Sequence, residues 1–263
     1  MDLKLQGLCA LVTGASRGLG FATALGLARE GVEVGINSRS ADSLRHAAER
    51  ILNETGKQTN ILPGDVTDPV VSERLVHAAA EVFGGLDLLV TNASGPPAGP
   101  FETFDDLAWQ RAVELSFLSH VRLIRSALPY LRQSKGASVL TITSYSVKQP
   151  IPNLVLSNSV RSATTGLTKS LALELGKDGI RFNSILPAWT ETERVQELIS
   201  ARAAVNGTSV EEELRKQTLD SPLGRMGKPE EFANAAVFLL SPAASYITGV
   251  MLTVDGGMYK GTY

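Results

Sequence analysis

The stretch Thr13-Gly14-Ala15-Ser16-Arg17-Gly18-Leu19-Gly20 constrains this chain more than any other, because of what stands on either side of it. The apolar segment before it, Leu8 to Thr13, reads as a strand, and the segment after it, Leu19 to Glu30, reads as an amphipathic helix. Glycines at a strand-to-helix junction let the backbone turn sharply and come close to a bound anion. The free N–H groups and the dipole at the start of the helix favour a phosphate there, and a pyrophosphate is the ligand such a turn suits.

The same alternation continues along the chain. Val32 to Asn37 reads as a strand and a helix begins near Ala41. Further strands are expected at Gln58 to Leu62, Leu86 to Val90, Ser138 to Ile142, Arg181 to Leu186 and Val250 to Val254, with helical patterns between them. Repeated βαβ units imply a parallel sheet with helices on both faces. Right-handed crossovers make it doubly wound, a Rossmann-type α/β fold. No linker or compositional break divides residues 1–263, so a single domain is expected. Residues 190–222 interrupt the alternation with a charged, helical pattern. They read either as a lid over the site or as a surface insertion.

Charge and composition exclude several partners. Lys plus Arg number 25 and Asp plus Glu 27, so nothing marks a nucleic-acid surface. No stretch approaches the roughly 20 apolar residues that span a bilayer, so no membrane partner is expected. Met1-Asp2-Leu3-Lys4 does not resemble a signal peptide. The single cysteine, Cys9, allows no intramolecular disulfide and suits a reducing compartment; a cytoplasmic location is the expectation. His, Cys and carboxylates do not cluster at metal-ligand spacing, so no metal site is expected.

The second strand ends Asn37-Ser38-Arg39-Ser40, without the carboxylate that takes a ribose 2′-hydroxyl in NAD sites. Arg39, with Arg17 from the glycine turn, offers guanidinium forks to a 2′-phosphate instead. The cofactor expected is therefore NADP(H) rather than NAD(H).

Beyond the glycine turn, the chain carries Asp65-Val66, Thr91-Asn92-Ala93-Ser94-Gly95, Ile142-Thr143-Ser144, a helix at Gly166–Leu175, Pro187 to Thr192, and a tail from Ile247-Thr248-Gly249 to Asp255-Gly256-Gly257. With these motifs it resembles the short-chain dehydrogenase/reductase family nearly end to end, and in particular its 3-oxoacyl-carrier-protein reductase-like members. The resemblance implies that a nicotinamide dinucleotide lies along Gly14, Ser16, Arg17, Gly18, Leu19, Gly20, Ser38, Arg39, Asp65, Val66, Asn92, Ala93, Arg161, Pro187, Thr190 and Thr192. It also implies a homo-oligomer, a tetramer or dimer, built on the helices around Leu107–Leu131 and Leu154–Leu175 and on the C-terminal segment.

In that family the chemistry belongs to a Ser, a Tyr, a Lys four residues after the Tyr, and an Asn on an earlier helix. Ser144 matches the serine. Without a gap, the Tyr position falls at Ser157, the Lys position at Arg161 and the Asn position at Ser116. Arg161 stays cationic and does not shuttle a proton, but it can bond a ribose and hold charge beside the nicotinamide. Ser157 can donate a hydrogen bond but is a poor general acid, and Ser116 can help to hold a water. Tyr145 and Lys148, on the loop after Ser144, are alternative proton donors if they turn inward. His120 lies four residues after Ser116, on one face of a helix with it. Phe101, Phe104, Trp189 and the Val195–Leu219 segment are candidates to line an apolar pocket.

Two functions remain open at this point. One is an NADP(H)-dependent oxidoreductase acting on a small-molecule carbonyl or alcohol, 3-oxoacyl-like substrates included, with a non-standard proton donor. The other is a catalytically inactive NADP(H)-binding sensor or subunit. Non-redox chemistry in the same cleft, such as a lyase reaction, is a weaker third.

Overall fold

A computed structural model describes residues 1–262. Seven parallel strands form one sheet: β1 (Cys9–Val12), β2 (Glu33–Ser38), β3 (Asn60–Pro63), β4 (Leu88–Thr91), β5 (Ser138–Ile142), β6 (Arg181–Pro187) and β7 (Met251–Val254). Their spatial order is β3-β2-β1-β4-β5-β6-β7. The strands lie where the apolar, β-branched runs predict, within one or two residues at most ends, and β5 matches its expected bounds.

Both faces of the sheet are buried, as a parallel sheet requires. Alternation along β1 sends Ala10 and Val12 to one face and Leu11 to the other. The first face is covered by α1 (Gly18–Arg29), α2 (Ala41–Thr55) and α9 (Pro229–Leu240), through residues such as Leu27, Ile51 and Phe232. The second is covered by α3 (Pro69–Phe83), α5 (Ser119–Leu131) and α6 (Val155–Leu175), through Leu75, Leu123 and Leu175.

The strand order reverses between β1 and β4. In a doubly wound sheet this is where a crevice opens above the carboxyl ends of the strands. The glycine turn rises from the end of β1, and Asn92 follows the end of β4.

Two features depart from the simple alternation. The long helix expected around Leu107–Leu131 is broken into α4 (Asp106–Val113) and α5 by a π-turn at Glu114–Leu118. Residues 190–222 form a helical hairpin of α7 (Glu193–Asn206) and α8 (Val210–Leu219). Its small core of Trp189, Val195, Ile199, Met226 and Met258 is separate from the two large ones. The turn of this hairpin is held by Glu213, whose Oε1 accepts from Asn206 Nδ2, Thr208 Oγ1 and Lys216 Nζ at 3.2, 2.8 and 2.9 Å. Among the described residues no helix is long and apolar enough to cross a membrane, and no group of His, Cys, Asp and Glu is placed to hold a metal ion.

Candidate functional site

The ends of β1 and β4 are interlocked. Thr13 Oγ1 donates to the Asn92 carbonyl at 2.8 Å and accepts from the Asn92 N–H at 2.9 Å. The Asn92 side-chain amide donates to the Gly14 carbonyl at 3.1 Å. Gly14 takes a left-handed φ of +58°, and a Cβ there would stand 2.7 Å from Asn92 Nδ2. A Cβ on Gly20 would overlap the Gly14 carbonyl oxygen. The turn is therefore packed onto Asn92 and onto itself at these glycines, with its concave side facing the start of α1.

That helix start is uncapped. Arg17 is the N-cap residue and makes no side-chain capping bond. By contrast Ser40, Asp68, Asp105, Thr192 and Ser209 cap α2, α3, α4, α7 and α8 with their side chains. An uncapped N-terminus beside a glycine cradle offers its N–H groups to an anion. Ser16, Gly18 and Leu19 belong to the same turn. The cradle thus fits the diphosphate of a dinucleotide, which brings Gly14, Ser16, Gly18, Leu19, Gly20, Asn92 and Ala93 to one place.

On the other side of the turn, Asn37 Nδ2 donates to the carbonyls of Leu62 and Gly64 at 2.8 and 3.1 Å, and the Gly64 N–H donates to Ser38 at 2.9 Å. These bonds set Asp65 and Val66 beside Ser38. Asp65 Oδ1 accepts from the N–H and hydroxyl of Thr67. Arg39 is exposed and forms no ion pair among the described residues, whereas Arg17 leans to Glu197 on α7 at 3.7 Å. Of the two arginines expected at a 2′-phosphate, Arg39 forms no ion pair among the described residues and Arg17 is turned toward α7. Pro187, Thr190 and Thr192 lead from the end of β6 into α7, which the Thr192 hydroxyl caps by accepting from the Val195 N–H at 3.4 Å.

The chemistry-bearing end lies over β5. Ser144 follows that strand, and its Oγ accepts from the Ser146 N–H at 3.2 Å. Ser157 and Arg161, four residues apart on α6, share a face and are both buried. Arg161 Nη1 donates to the carbonyls of Ile142 and Thr143 at 3.2 and 3.1 Å, which fixes its guanidinium next to Ser144. Burial first, then the charge of Arg194, lowers its pKa to about 10, so it stays cationic at neutral pH. No carboxylate forms an ion pair with it among the described residues.

Behind Arg161 lies a set of buried polar atoms without protein partners. Ser116 sits in the π-turn. Its carbonyl accepts from Thr164 Oγ1 at 2.6 Å while its own hydroxyl bonds to nothing. His120 Nδ1 and Thr143 Oγ1 are likewise without partners. Burial first, and then the charge of Arg161, lowers the pKa of His120 to about 3. Buried polar groups of this kind are usually satisfied by enclosed water, and π-turns are frequent at functional sites.

Among the described residues neither alternative proton donor bonds to Ser144 or Arg161. Tyr145 is buried and packs with Ile151, Leu154 and Leu186. Its phenol pKa is raised, chiefly by burial, with Arg202 acting against it. The Trp189 indole N–H leans toward that phenol too loosely to count as a hydrogen bond and has no other partner. Lys148 Nζ lies over the Tyr259 ring at 5.2 Å, in the C-terminal tail. Of the residues expected to line a pocket, Phe101 is exposed against Trp109. Trp189, Val195 and Ile199 belong to the small core of the α7–α8 hairpin.

One participant escaped the sequence reading. Arg194 on α7 donates from Nη2 to the Pro96 carbonyl at 2.8 Å, a contact spanning 98 residues. Its position two residues after Thr192 gives no sign of this, because the contact exists only once α7 folds over the loop after β4.

A cleft of about 830 Å³ runs along the outer side of α1 between Arg50, Gln196 and Phe238 and touches the glycine turn only at Gly18. Neither Ser144 nor Arg161 lines it. The glycine cradle, the Arg161 guanidinium and the orphaned polar atoms lie instead by the carboxyl ends of β1, β4 and β5.

Comparison with known proteins agrees with this geometry. A family model described as enoyl-(acyl carrier protein) reductase matches residues 14–259. The 3-oxoacyl-[acyl-carrier-protein] reductase of Vibrio cholerae is 33% identical over 98% of this chain and 99% of its own. The L-sorbose reductase of Gluconobacter frateurii, solved with NADPH and L-sorbose, superposes with a TM-score of 0.94 at 32% identity, covering 99% of this chain and 100% of that one. A 7α-hydroxysteroid dehydrogenase, solved with NADH and 7-oxo glycochenodeoxycholic acid, gives 0.90 at 31% identity, covering 100% and 98%. The chain belongs to the short-chain dehydrogenase/reductase family of oxidoreductases.

Proposed function

We propose that this protein is an NADP(H)-dependent oxidoreductase that interconverts a small carbonyl compound and its alcohol without the family's tyrosine. The observation that carries the proposal is the cradle of Gly14, Gly20 and Asn92 facing the uncapped start of α1, with Arg39 unpaired at the end of β2. The L-sorbose reductase solved with NADPH supports the cofactor class. Arg39, where an acid would bind a 2′-hydroxyl, supports the phosphorylated form.

The nicotinamide, when bound, supplies or accepts the hydride. This chain's own residues handle the oxygen. Ser144 Oγ donates to the substrate oxygen, and the guanidinium of Arg161, fixed on the carbonyls of Ile142 and Thr143, holds positive charge near it. In reduction, the carbonyl carbon gains the hydride and the oxygen becomes negative. A fixed cation and a hydroxyl donor stabilise that charge. The alkoxide then takes its proton from water, and the hydroxide left behind passes to bulk solvent; Lys148 lies over the Tyr259 ring instead. Ser157, on the Arg161 face of α6, orients that water. A cytoplasmic homo-oligomer, dimer or tetramer, is part of the same proposal and rests on the likeness to the family.

The test is a fluorescence titration with NADPH and NADH, followed by absorbance loss at the nicotinamide band over a panel of ketones and 3-oxoacyl thioesters. NADPH binding with turnover on part of the panel is the expected result. NADPH binding with no turnover on any carbonyl would favour the inactive sensor or subunit instead.

A further inference from the structure

A buried guanidinium without a carboxylate is an expensive feature to keep, and here two guanidinium groups approach one point. Arg161 Nη2 and Arg194 Nη2 lie 3.6 and 3.4 Å from the place a Cβ on Gly95 would occupy. Arg161 is 7% exposed, and its Nη1 is held by two backbone carbonyls. Arg194 reaches the same point from the lid, steadied by its bond to the Pro96 carbonyl. The nearest acid, Glu197, stands 3.5 Å from Arg194 Nη1 on the outer side and is shared with Arg17. The two like charges repel, and among the described residues Glu197 pairs with Arg194 while no carboxylate pairs with Arg161.

We infer that Arg161 and Arg194 form a fork for a carboxylate that the substrate carries beside its reacting carbonyl. The inference rests on the proposed oxidoreductase function and narrows its substrate to 2-oxo or 3-oxo acids and the matching hydroxy acids. Three observations favour this occupant. First, the cofactor's diphosphate already has a cradle at the end of β1, whereas Arg161 is anchored at the end of β5, immediately before Ser144. Second, two guanidinium groups that both reach the space beside Gly95 can each donate to an oxygen of a planar carboxylate. Third, Arg161 is buried, where an ionic hydrogen bond counts for more than at the surface. An acid group bound there sets its neighbouring carbonyl within reach of Ser144. Closure of Arg194 onto it couples lid position to the presence of the acid.

The probes are oxamate, its uncharged methyl ester and inorganic phosphate, each followed by calorimetry against the protein alone and the NADPH-loaded protein. Oxamate is expected to bind at least about ten-fold tighter than the ester, and Arg194→Gln is expected to remove most of that difference. Arg194 is partly exposed, so this variant keeps the test valid if Arg161 variants fail to fold. Equal binding of oxamate and ester, or an Arg194→Gln protein with the wild-type preference, would overturn the inference. So would phosphate binding more tightly than oxamate, or an Arg194→Gln protein that loses NADPH affinity while oxamate never binds. Failure of the wild-type protein to bind NADPH, with oxamate still taken up by the protein alone, would count against the oxidoreductase reading and leave the fork standing.

Discussion

The side-chain amide of Asn92 donates to the carbonyl of Gly14 at 3.1 Å, so the end of β4 holds the turn that follows β1 in its bent form. A methyl group on Gly14 would stand 2.7 Å from that amide nitrogen, on a backbone with φ of +58°. Gly14→Ala is therefore expected to destabilise the protein by about 1–3 kcal/mol, at roughly 2–4 °C of Tm per kcal/mol for a chain of this size. It should also weaken NADPH binding by at least about ten-fold, because the displaced turn no longer follows the diphosphate. Thermal unfolding with and without NADPH checks both; a variant as stable and as well bound as the parent would show that the cradle is not tight.

Restoring the family's pair should restore its chemistry. The double variant Ser157→Tyr with Arg161→Lys places a phenol and an ammonium on the face of α6 that already carries Ser157 and Arg161. Carbonyl reduction is expected to rise by about a hundred-fold, the range a positioned general acid contributes. The preference for acid substrates should fall, since the fork loses one arm. Steady-state kinetics on matched acid and ester substrates reads both effects. An unchanged rate would mean that the proton is not what limits this site.

His120 makes acid stability a local question. The folded protein keeps it neutral down to about pH 3, chiefly through burial, while the unfolded chain takes up the proton near its ordinary value of 6.5. Between those values the unfolded state binds more protons, so acidification favours unfolding by up to about 1.4 kcal/mol per pH unit. Above 6.5 the residue contributes no pH dependence. Chemical denaturation from pH 7 to 4 should show a shallower loss for His120→Leu than for the parent. Parallel curves would place the acid sensitivity elsewhere.

The turn between α7 and α8 is held by one carboxylate. Three donors on Glu213 Oε1, with the Lys216 bond first among the causes, hold its pKa down to about 2. The clamp is present above the carboxylate's ordinary range and is lost as pH falls from about 4.5 toward 2. Glu213→Ala should speed proteolytic cleavage near Gly207 and raise the KM for substrate, while NADPH affinity changes little. Cleavage at the parental rate would show that α7 and α8 are held by their apolar contacts alone.

The sheet was legible in the sequence because parallel strands buried on both faces must be short apolar runs, and the runs at Cys9–Val12 and Ser138–Ile142 have no helical reading of comparable quality. The cradle was legible for the same kind of reason: a local turn is specified by neighbours in sequence. The π-turn at Glu114–Leu118 was not, since one extra residue in a helical turn leaves the apolar pattern almost unchanged. The inward roles considered for Tyr145 and Lys148 depended on which way a loop side chain points. That is decided by contacts with Leu186 and Tyr259, far away in the chain. Arg194 was invisible for the same reason, its partner Pro96 lying on another strand's loop.

Selection of the phosphorylated dinucleotide by Arg39 is the claim on which the rest stands, and fluorescence titration of the parent and Arg39→Ala proteins with NADPH and NADH tests it directly. The parent is expected to bind NADPH at least about ten-fold tighter than NADH, and Arg39→Ala to bring the two affinities together by weakening NADPH alone. Equal affinities in the parent, or binding of neither dinucleotide, would contradict the account.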